Sequence, residues 1–189
     1  MIQQAVDQAS VEGLGGVTIG RLAENLGMSK AGVIGPFGSK EGLQLAALER
    51  AIDVFRREIW EPASTVEPGL ARLEAITEAW LDYLRRDVFP GGCFLTQAAC
   101  EFDGRPGRVR EAVDQALSLW HSTLAHEAAR AVQAGDLPDI DPEQVAFELG
   151  AIAQGVNQAR QLRRDPQALQ RGRRAMRRAL YLGDTPPGA

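Results

Sequence analysis

The side chains best placed for chemistry with nucleic acid lie between Thr18 and Lys40. Ser29 and Ser39 each precede a predicted helix, and a hydroxyl in that position caps the first amide groups of the helix. Lys30 and Lys40 follow these serines directly, so each helix start also carries an ammonium group. Two short helices joined by a tight turn form the arrangement that places its second helix in the DNA major groove. The stretch therefore predicts a helix-turn-helix element that binds DNA.

The elements that position these groups follow from local pattern. The first of the two short helices has one apolar face at i, i+3, i+4 and i+7 spacing, made by Ile19, Leu22, Ala23 and Leu26. Gly27 comes next, and glycine is the residue that most readily takes a positive φ after a helix. Pro36 lacks an amide hydrogen and clashes with the preceding turn. We therefore expect the second helix to end near Ile34 and Gly35 to leave helical geometry.

The rest of the chain is predicted to be helical, because apolar residues recur at helical spacing and no strand pattern is convincing. A long helix that begins after Ser39 is expected to end at Pro62. Asp141-Pro142 and Asp165-Pro166 pair a cap with a first-turn proline and are expected to open the last two helices. The other expected helices run over residues 2–12, from 70 to about 89, from 93 to 102, and from 109 to about 135.

These elements predict an all-α fold of about nine helices, with an N-terminal three-helix helix-turn-helix head and a larger C-terminal helical body. The head is expected to span residues 1–47, and the fourth helix to link it to the body up to about residue 61. The body is expected to span residues 62–183, followed by a disordered tail over residues 184–189.

Composition narrows the class of protein. The chain has 189 residues, of which 44% are hydrophobic and 24% charged, as in ordinary globular proteins. No apolar run reaches the roughly 18 residues of a membrane helix, and no leader pattern opens the chain, so we expect a cytoplasmic protein without membrane contact. Residues 1–45 carry three basic side chains against four acidic ones, which predicts weak non-specific DNA binding.

The spacing of the cysteines and histidines disfavours catalysis and metal binding. Cys93 and Cys100 lie two helical turns apart, roughly 10 Å, which is too far for a disulfide, so both are expected to be buried free thiols. These cysteines, His121 and His126 lack close ligand spacing, so no metal or cofactor is expected. A helical enzyme that uses His121 or Cys93 is disfavoured, because no acid–base pair or nucleophile motif supports it.

With these motifs in place, residues 2–48 resemble the TetR family of transcriptional regulators. A glycine-rich loop is followed by VTIGRLAENLGMSKAGVIGPFGSKEGLQLAAL, which is similar to the family pattern of Thr-Ile, Ile/Leu-Ala, Gly-Val-Ser-Lys, aromatic-x-His-Phe and Ser-Lys-Glu-x-Leu. The resemblance implies a homodimeric, sequence-specific regulator, most often a repressor, that binds a palindromic double-stranded DNA operator. It also implies a body that binds a small, mostly apolar effector and thereby alters the spacing of the two heads.

The resemblance implies a set of DNA-contacting residues around the second and third helices, namely Thr18, Ser29, Lys30, Ala31, Gly32, Ile34, Gly35, Pro36 and Lys40. Lys30 can reach guanine acceptors, and Thr18 and Lys40 can face phosphates. Two of these positions depart from the family pattern: Ile34 replaces the usual aromatic residue and Pro36 the usual histidine. The alternative is therefore a TetR-like dimer that binds ligands or partners and has lost strong DNA binding.

An effector pocket needs mostly apolar walls with a few polar groups. The candidate lining residues are Trp80, Tyr83, Leu84, Phe94, Gln97, Phe102, Trp120, His121 and Leu124. An ordinary helical core would show the same stripe of tryptophans and leucines, and that alternative stays open. Residues 89–107 contain a short helix between two loops that carry glycine and proline. This segment is either a moving link between the pocket and the head or an irregular connector.

The last two helices carry small residues at helical spacing, which lets helix backbones approach closely. The expected dimer contacts are Leu149, Ile152, Val156, Ala168, Gly172, Ala175, Met176 and Ala179. Two such helices from each chain would form a four-helix interface across a two-fold axis. The arginines between residues 160 and 178 are interpreted as the flanking face of this interface rather than as a nucleic-acid patch.

Overall fold

A computed structural model describes residues 1–183, and the predicted tail over residues 184–189 lies outside the described residues. The predicted all-α fold is confirmed, with no strand in the described part of the chain. The α-helices are α1 (Ile2–Glu12), α2 (Ile19–Leu26), α3 (Lys30–Ile34), α4 (Lys40–Phe55), α5 (Glu61–Ser64), α6 (Leu70–Arg85), α7 (Phe94–Phe102), α8 (Arg108–Ala134), α9 (Pro142–Gln161) and α10 (Ala168–Ala179).

Caps explain where several of these helices begin. The Thr18 hydroxyl accepts a hydrogen bond from the Arg21 amide at 3.3 Å, and the Ser29 hydroxyl accepts one from the Gly32 amide at 3.1 Å. Ser39 caps α4 in the same way. The Asp141 carboxylate accepts a bond from the amide of Glu143 at 3.0 Å, at the start of α9. The sequence signals for helix starts are therefore borne out at these positions.

The expected end of the fourth helix at Pro62 is wrong. A π-helical turn over Arg56–Trp60 follows α4 directly, and α5 continues the helical run to Ser64. Pro62 lies in the first turn of α5, directly after the π-helical turn. If the run Lys40–Ser64 is counted as one helix, the described chain has nine helical segments.

The beginning of the last helix also differs from expectation. The Asp165 carboxylate accepts a hydrogen bond from the amide of Gln167 at 2.8 Å, as a cap would. Residues 166–167 nevertheless form a turn, and α10 begins at Ala168 and ends at Ala179 rather than near Leu182. The Asp-Pro pair therefore opens a turn before the helix instead of the helix itself.

The described chain divides into two compact units. Unit 1 comprises Met1–Phe55 and Asp87–Leu117, and unit 2 comprises Arg56–Arg86 and the chain from Ser118 onward. Residues 87–117, which hold α7 and the first part of α8, therefore group with the N-terminal helices. The sequence pattern places this segment in the body, and its assignment to a functional domain stays a prediction.

Unit 1 is built around α1 and α4, with α7 packed against both. Its fully buried side chains include small and branched apolar residues, namely Ala5, Val6, Val17, Leu22, Val33, Leu43 and Ala47. Cys100, which was expected to be buried, is exposed, while Cys93 is buried. Cys93 has extended backbone geometry before α7, so the two cysteines are not two turns apart on one helix.

Unit 2 contains a buried ion pair. Arg72 of α6 donates a hydrogen bond to Glu127 of α8 at 3.0 Å, and their side chains are only 13% and 4% exposed. Glu127 also accepts a bond from the amide of Gly69 at 2.8 Å, and Arg72 donates to the carbonyls of Ser64 and Val66. These bonds satisfy the charges, and they fix the loop before α6 to α8.

Candidate nucleic-acid interface

The two short helices α2 and α3 meet at a left-handed glycine. Gly27 has φ 61° and ψ 30°, and its amide donates to the carbonyls of Ala23 and Glu24 at the end of α2. The amide of Met28 donates to the Ala23 carbonyl at 2.9 Å, which closes the turn. Leu22 of α2 and Val33 of α3 have no exposed surface, so each helix buries one side in unit 1. The opposite side of α3 is left at the surface.

Eight of the nine predicted DNA-contacting residues are exposed, and Ile34 is half-buried. The hydroxyls of Thr18 and Ser29 act as acceptors in their caps. A hydroxyl that accepts a hydrogen bond still carries its own hydrogen, so each can also donate to a phosphate oxygen. The cap and the phosphate contact are therefore compatible at both positions.

Helix α3 ends at Ile34, as expected, but Gly35 keeps helical geometry, with φ −46° and ψ −50°. The expectation that Gly35 would leave this region is wrong. A proline disfavours the helical region for its predecessor through clashes with the amide and the Cβ atom of that residue, and glycine lacks the Cβ atom. The Gly35 amide bonds to the Ala31 carbonyl at 2.9 Å, and the Gly38 amide to the Ile34 carbonyl at 2.8 Å. One further turn thus follows α3 before Ser39.

Two lysines supply the positive charge of this surface. The ammonium of Lys40 donates a hydrogen bond to the Gly15 carbonyl at 2.7 Å. The end of the Lys30 side chain lies next to Gly20, with Nζ 4.0 Å from the place that a Cβ atom would occupy there. Lys30 is therefore positioned beside the first turn of α2 rather than straight out from α3. Both side chains are exposed.

Two arginines near this surface are paired with carboxylates. Arg21 contacts Glu12 at 2.8 Å, and Arg108 contacts Glu41 at 3.4 Å. These exposed ion pairs contribute little to stability, but each neutralises a cation that could otherwise face a phosphate. The pairing leaves Lys30 and Lys40 as the main cationic groups on this part of unit 1.

The loop between α1 and α2 is held by a residue that sequence reasoning missed. Glu101 of α7 accepts hydrogen bonds from the amides of Leu14 and Gly15, both at 2.7 Å. Gln44 of α4 donates to the Leu14 carbonyl at 3.0 Å. The only sequence signal was the cluster of glycines at the loop, which shows that the backbone approaches something closely but not which side chain.

Family comparisons agree with this geometry. The model for bacterial regulatory proteins of the tetR family matches residues 1–47, and the model for tetracyclin repressor-like C-terminal domains matches residues 69–176. The second match alone covers more than half of the chain. The chain belongs to the TetR family. No curated protein sequence matches it significantly.

Solved TetR-family structures share the fold. A regulator from Chloroflexus aurantiacus has 23% identity and a TM-score of 0.83, covering 95% of this chain and 92% of that one. One from Cytophaga hutchinsonii has 19% identity and a TM-score of 0.82, covering 95% and 90%. AibR, solved with isovaleryl coenzyme A and operator DNA, has 19% identity and a TM-score of 0.71, covering 83% of each chain. Identities this low support the fold alone.

The residues predicted to line the effector pocket of this TetR-family protein fall in both units. Phe94, Gln97 and Phe102 lie on α7 in unit 1, and the other six lie on α6 and α8 in unit 2. Trp80 and Trp120 meet edge to face, with ring centroids 5.5 Å apart. His121 is half-exposed and lies 2.8 Å from the carboxylate of Glu143. Their role in binding an effector stays a prediction.

Most residues predicted to form the TetR-type dimer surface are buried within the chain itself. Leu149, Val156, Ala168, Gly172, Met176 and Ala179 are all buried, where α9 and α10 pack against each other and against α6. A Cβ atom on Gly172 would overlap the Val156 side chain, so the small-residue stripe lets α10 approach α9 of the same chain. Ile152 and Ala175 stay half-exposed.

No helix among residues 1–183 is long and apolar enough to cross a membrane.

Proposed function

We propose that this chain is a sequence-specific DNA-binding transcriptional repressor whose affinity for DNA is controlled by a small-molecule effector. The observation that supports this most is the joint placement, in unit 1, of a capped and exposed recognition helix with two lysine ammonium groups. Membership of the TetR family makes operator DNA the expected partner. AibR, a solved relative, was crystallised with operator DNA and an acyl coenzyme A, which supports both halves of the proposal.

Lys40 is the residue best prepared for a phosphate contact. An ammonium group has three hydrogens, and the bond to the Gly15 carbonyl uses one of them, so two remain for phosphate oxygens. That same bond holds the flexible side chain in place before DNA arrives, which reduces the entropy lost on binding. Lys30 is proposed to neutralise a second phosphate beside the first turn of α2.

The functional unit is proposed to be a homodimer on a palindromic operator. An exposed strip on α9 and α10 supports this, because it joins Phe147, Ala151, Ile152 and Ala175 on neighbouring helices. Phe147 is 63% exposed, which is unusual for a large apolar side chain on a helix that is otherwise well packed. A two-fold axis would bury two copies of the strip against each other.

The proposal is tested by measuring binding to a duplex that covers the intergenic region upstream of the chain's own gene, over a series of salt concentrations. Lys40→Ala should weaken binding and flatten the plot of log K against log salt by about one unit per bound head. Arg174→Ala removes the same charge from an exposed position on α10 and should leave the slope unchanged. An unchanged slope in Lys40→Ala would contradict the phosphate contact.

A second candidate is a TetR-like dimer without strong DNA binding. The exposed positions of α3 and the turn after it are mostly Ala31, Gly32, Gly35 and Pro36, whose side chains carry no hydrogen-bond donor. This candidate predicts no retardation of the upstream duplex, even at low salt. Retardation of that duplex in preference to an unrelated one of equal length would refute it.

A further inference from the structure

Glu101 combines three polar contacts in unit 1. Its two carboxylate oxygens accept hydrogen bonds from consecutive amides, those of Leu14 and Gly15, each at 2.7 Å. The side chain is only 18% exposed, and Arg105 lies 3.2 Å from one of its oxygens. Bonds from amides to an ionised carboxylate are roughly twice as strong as neutral ones. Glu101 therefore binds the loop between α1 and α2 firmly to α7.

The loop sequence is adapted to this approach. Gly13 has φ +82°, and a Cβ atom there would lie 2.8 Å from a Glu101 oxygen. A Cβ atom on Gly15 would overlap the same carboxylate. The carboxylate can therefore reach the amides only because both residues are glycine. The contact joins Glu101 to a loop that lies more than 80 positions earlier in the chain.

Gly15 connects the contact between Glu101 and the loop, called here the Glu101 clamp, to the surface that is proposed to face DNA. Its amide is bound by Glu101, and its carbonyl accepts the hydrogen bond from the Lys40 ammonium at 2.7 Å. A displacement of Gly15 therefore moves the acceptor that holds Lys40 in place. The neighbouring Leu14 carbonyl accepts a hydrogen bond from Gln44, so side chains of both α4 and α7 bind the loop.

We propose that Glu101 is a positioning residue for DNA binding: it fixes Gly15, and Gly15 orients Lys40 toward a phosphate. The inference rests on the proposed function, since it assumes that Lys40 contacts DNA. It assigns to α7 a direct link to the DNA surface within unit 1. A merely structural role for Glu101 would instead change stability and would affect DNA binding whether or not Lys40 is present.

A double-mutant cycle separates these two roles. Glu101→Gln keeps the size of the side chain but presents one NH₂ group to an amide, so one of the two bonds is lost. At 0.1 M salt, one phosphate contact contributes about eightfold in affinity per head, which is the ceiling for this effect. We expect Glu101→Gln to lower affinity for the upstream duplex by about three- to eightfold per head. In a Lys40→Ala background, the same change should cost less than about twofold.

Matched variants sharpen the test. Arg105→Ala removes the neighbouring exposed ion pair but leaves both amide bonds, so its affinity should stay within about twofold of the parent. Glu101→Asp shortens the side chain by one methylene and should resemble Glu101→Gln. Hydrogen exchange at the amides of Leu14 and Gly15 should become faster in both Glu101 variants, and this readout needs no DNA.

Equal losses of affinity in the parent and in the Lys40→Ala background would overturn the inference, as would unchanged exchange at the two amides. Faster exchange at the two amides, together with an affinity loss from Glu101→Gln that disappears in the Lys40→Ala background, would support it. If the parent protein binds no DNA, the proposed function fails, and the exchange experiment still reports whether the clamp exists. If Glu101→Gln does not fold, Glu101→Asp carries the same comparison.

Discussion

Phe147 gives the sharpest test of how two copies of this chain associate. It is the largest side chain of the exposed strip on α9 and α10, and 63% of it is accessible in the single chain. Phe147→Ala removes the ring without disturbing the buried residues Leu149 and Val156, which hold α9 in place. The change should therefore leave the protomer folded and weaken only the dimer.

The size of the effect follows from the exposed area. Phenylalanine has roughly 200 Å² of surface, so an exposed fraction of 63% leaves about 125 Å² for a partner to cover. At about 25 cal/mol per Å², burial stabilises by about 3 kcal/mol, of which truncation to alanine removes about 2 kcal/mol. A two-fold interface contains the residue twice, so the dimer should lose about 4 kcal/mol, or about a thousandfold in Kd.

Sedimentation velocity over a concentration series measures this directly. Leu119→Ala is the matched control, because Leu119 lies on α8 and is 70% exposed. The parent and the control should remain dimeric at concentrations where Phe147→Ala is monomeric. A dimer of undiminished affinity in Phe147→Ala would refute the assignment of this strip, and equal weakening by both variants would show that exposure alone does not locate the interface.

Two further predictions concern stability. Hydrogen bonds from Arg86 lower the pKa of Glu58, and hydrogen bonds from Arg85 and then Arg86 lower the pKa of Asp82. The ionised carboxylates therefore stabilise the folded state fully above about pH 4.5, and this stabilisation is lost as the pH falls through the folded pKa values. Arg86→Met should thus lower the Tm more at pH 7 than at pH 3, and an equal loss at both would contradict the charge-based explanation. Gly172→Val should lower the free energy of unfolding, measured by chemical denaturation, by about 1–3 kcal/mol, because its Cβ would overlap Val156. Adding Val156→Ala should recover part of that loss, and no recovery would show that the two sites are independent.

The helix-turn-helix could be predicted because its determinants are local. Thr18 and Ser29 lie immediately before the helices they cap, and Gly27 lies immediately after α2, so each signal is contained in a few residues. The end of α3 at Ile34 followed from the chemistry of proline in the same way. The geometry of Gly35 was mispredicted because the rule for residues before proline was applied to glycine, which lacks the Cβ atom responsible for part of the clash.

The Glu101 clamp could not be predicted, because its partners lie 86 and 87 residues away along the chain. Nothing near Glu101 in the sequence indicates which backbone amides it will meet. The loop glycines showed only that something packs closely against them. A contact of this kind becomes visible only when α7 and the loop between α1 and α2 are placed in the same unit.

The sequence could not assign the small-residue stripe on α10 to one neighbour, for a different reason. Glycine and alanine at helical spacing allow any helix to approach, whether it belongs to the same chain or to a second copy. Gly172 meets Val156 and Leu81 of its own chain, so the stripe is used internally. The pattern predicted close packing correctly but contains no information on which helix is packed.

The two ends of α6 are secured with unequal strength. Near its start, Arg72 and Glu127 share a desolvated contact that also anchors the Gly69 amide, and breaking it would strand a charge away from water. At its far end, Asp82 and Arg86 form ion pairs that water and salt can replace at small cost. Loss of the Glu127 carboxylate should therefore destabilise the protein more than loss of the Asp82 carboxylate.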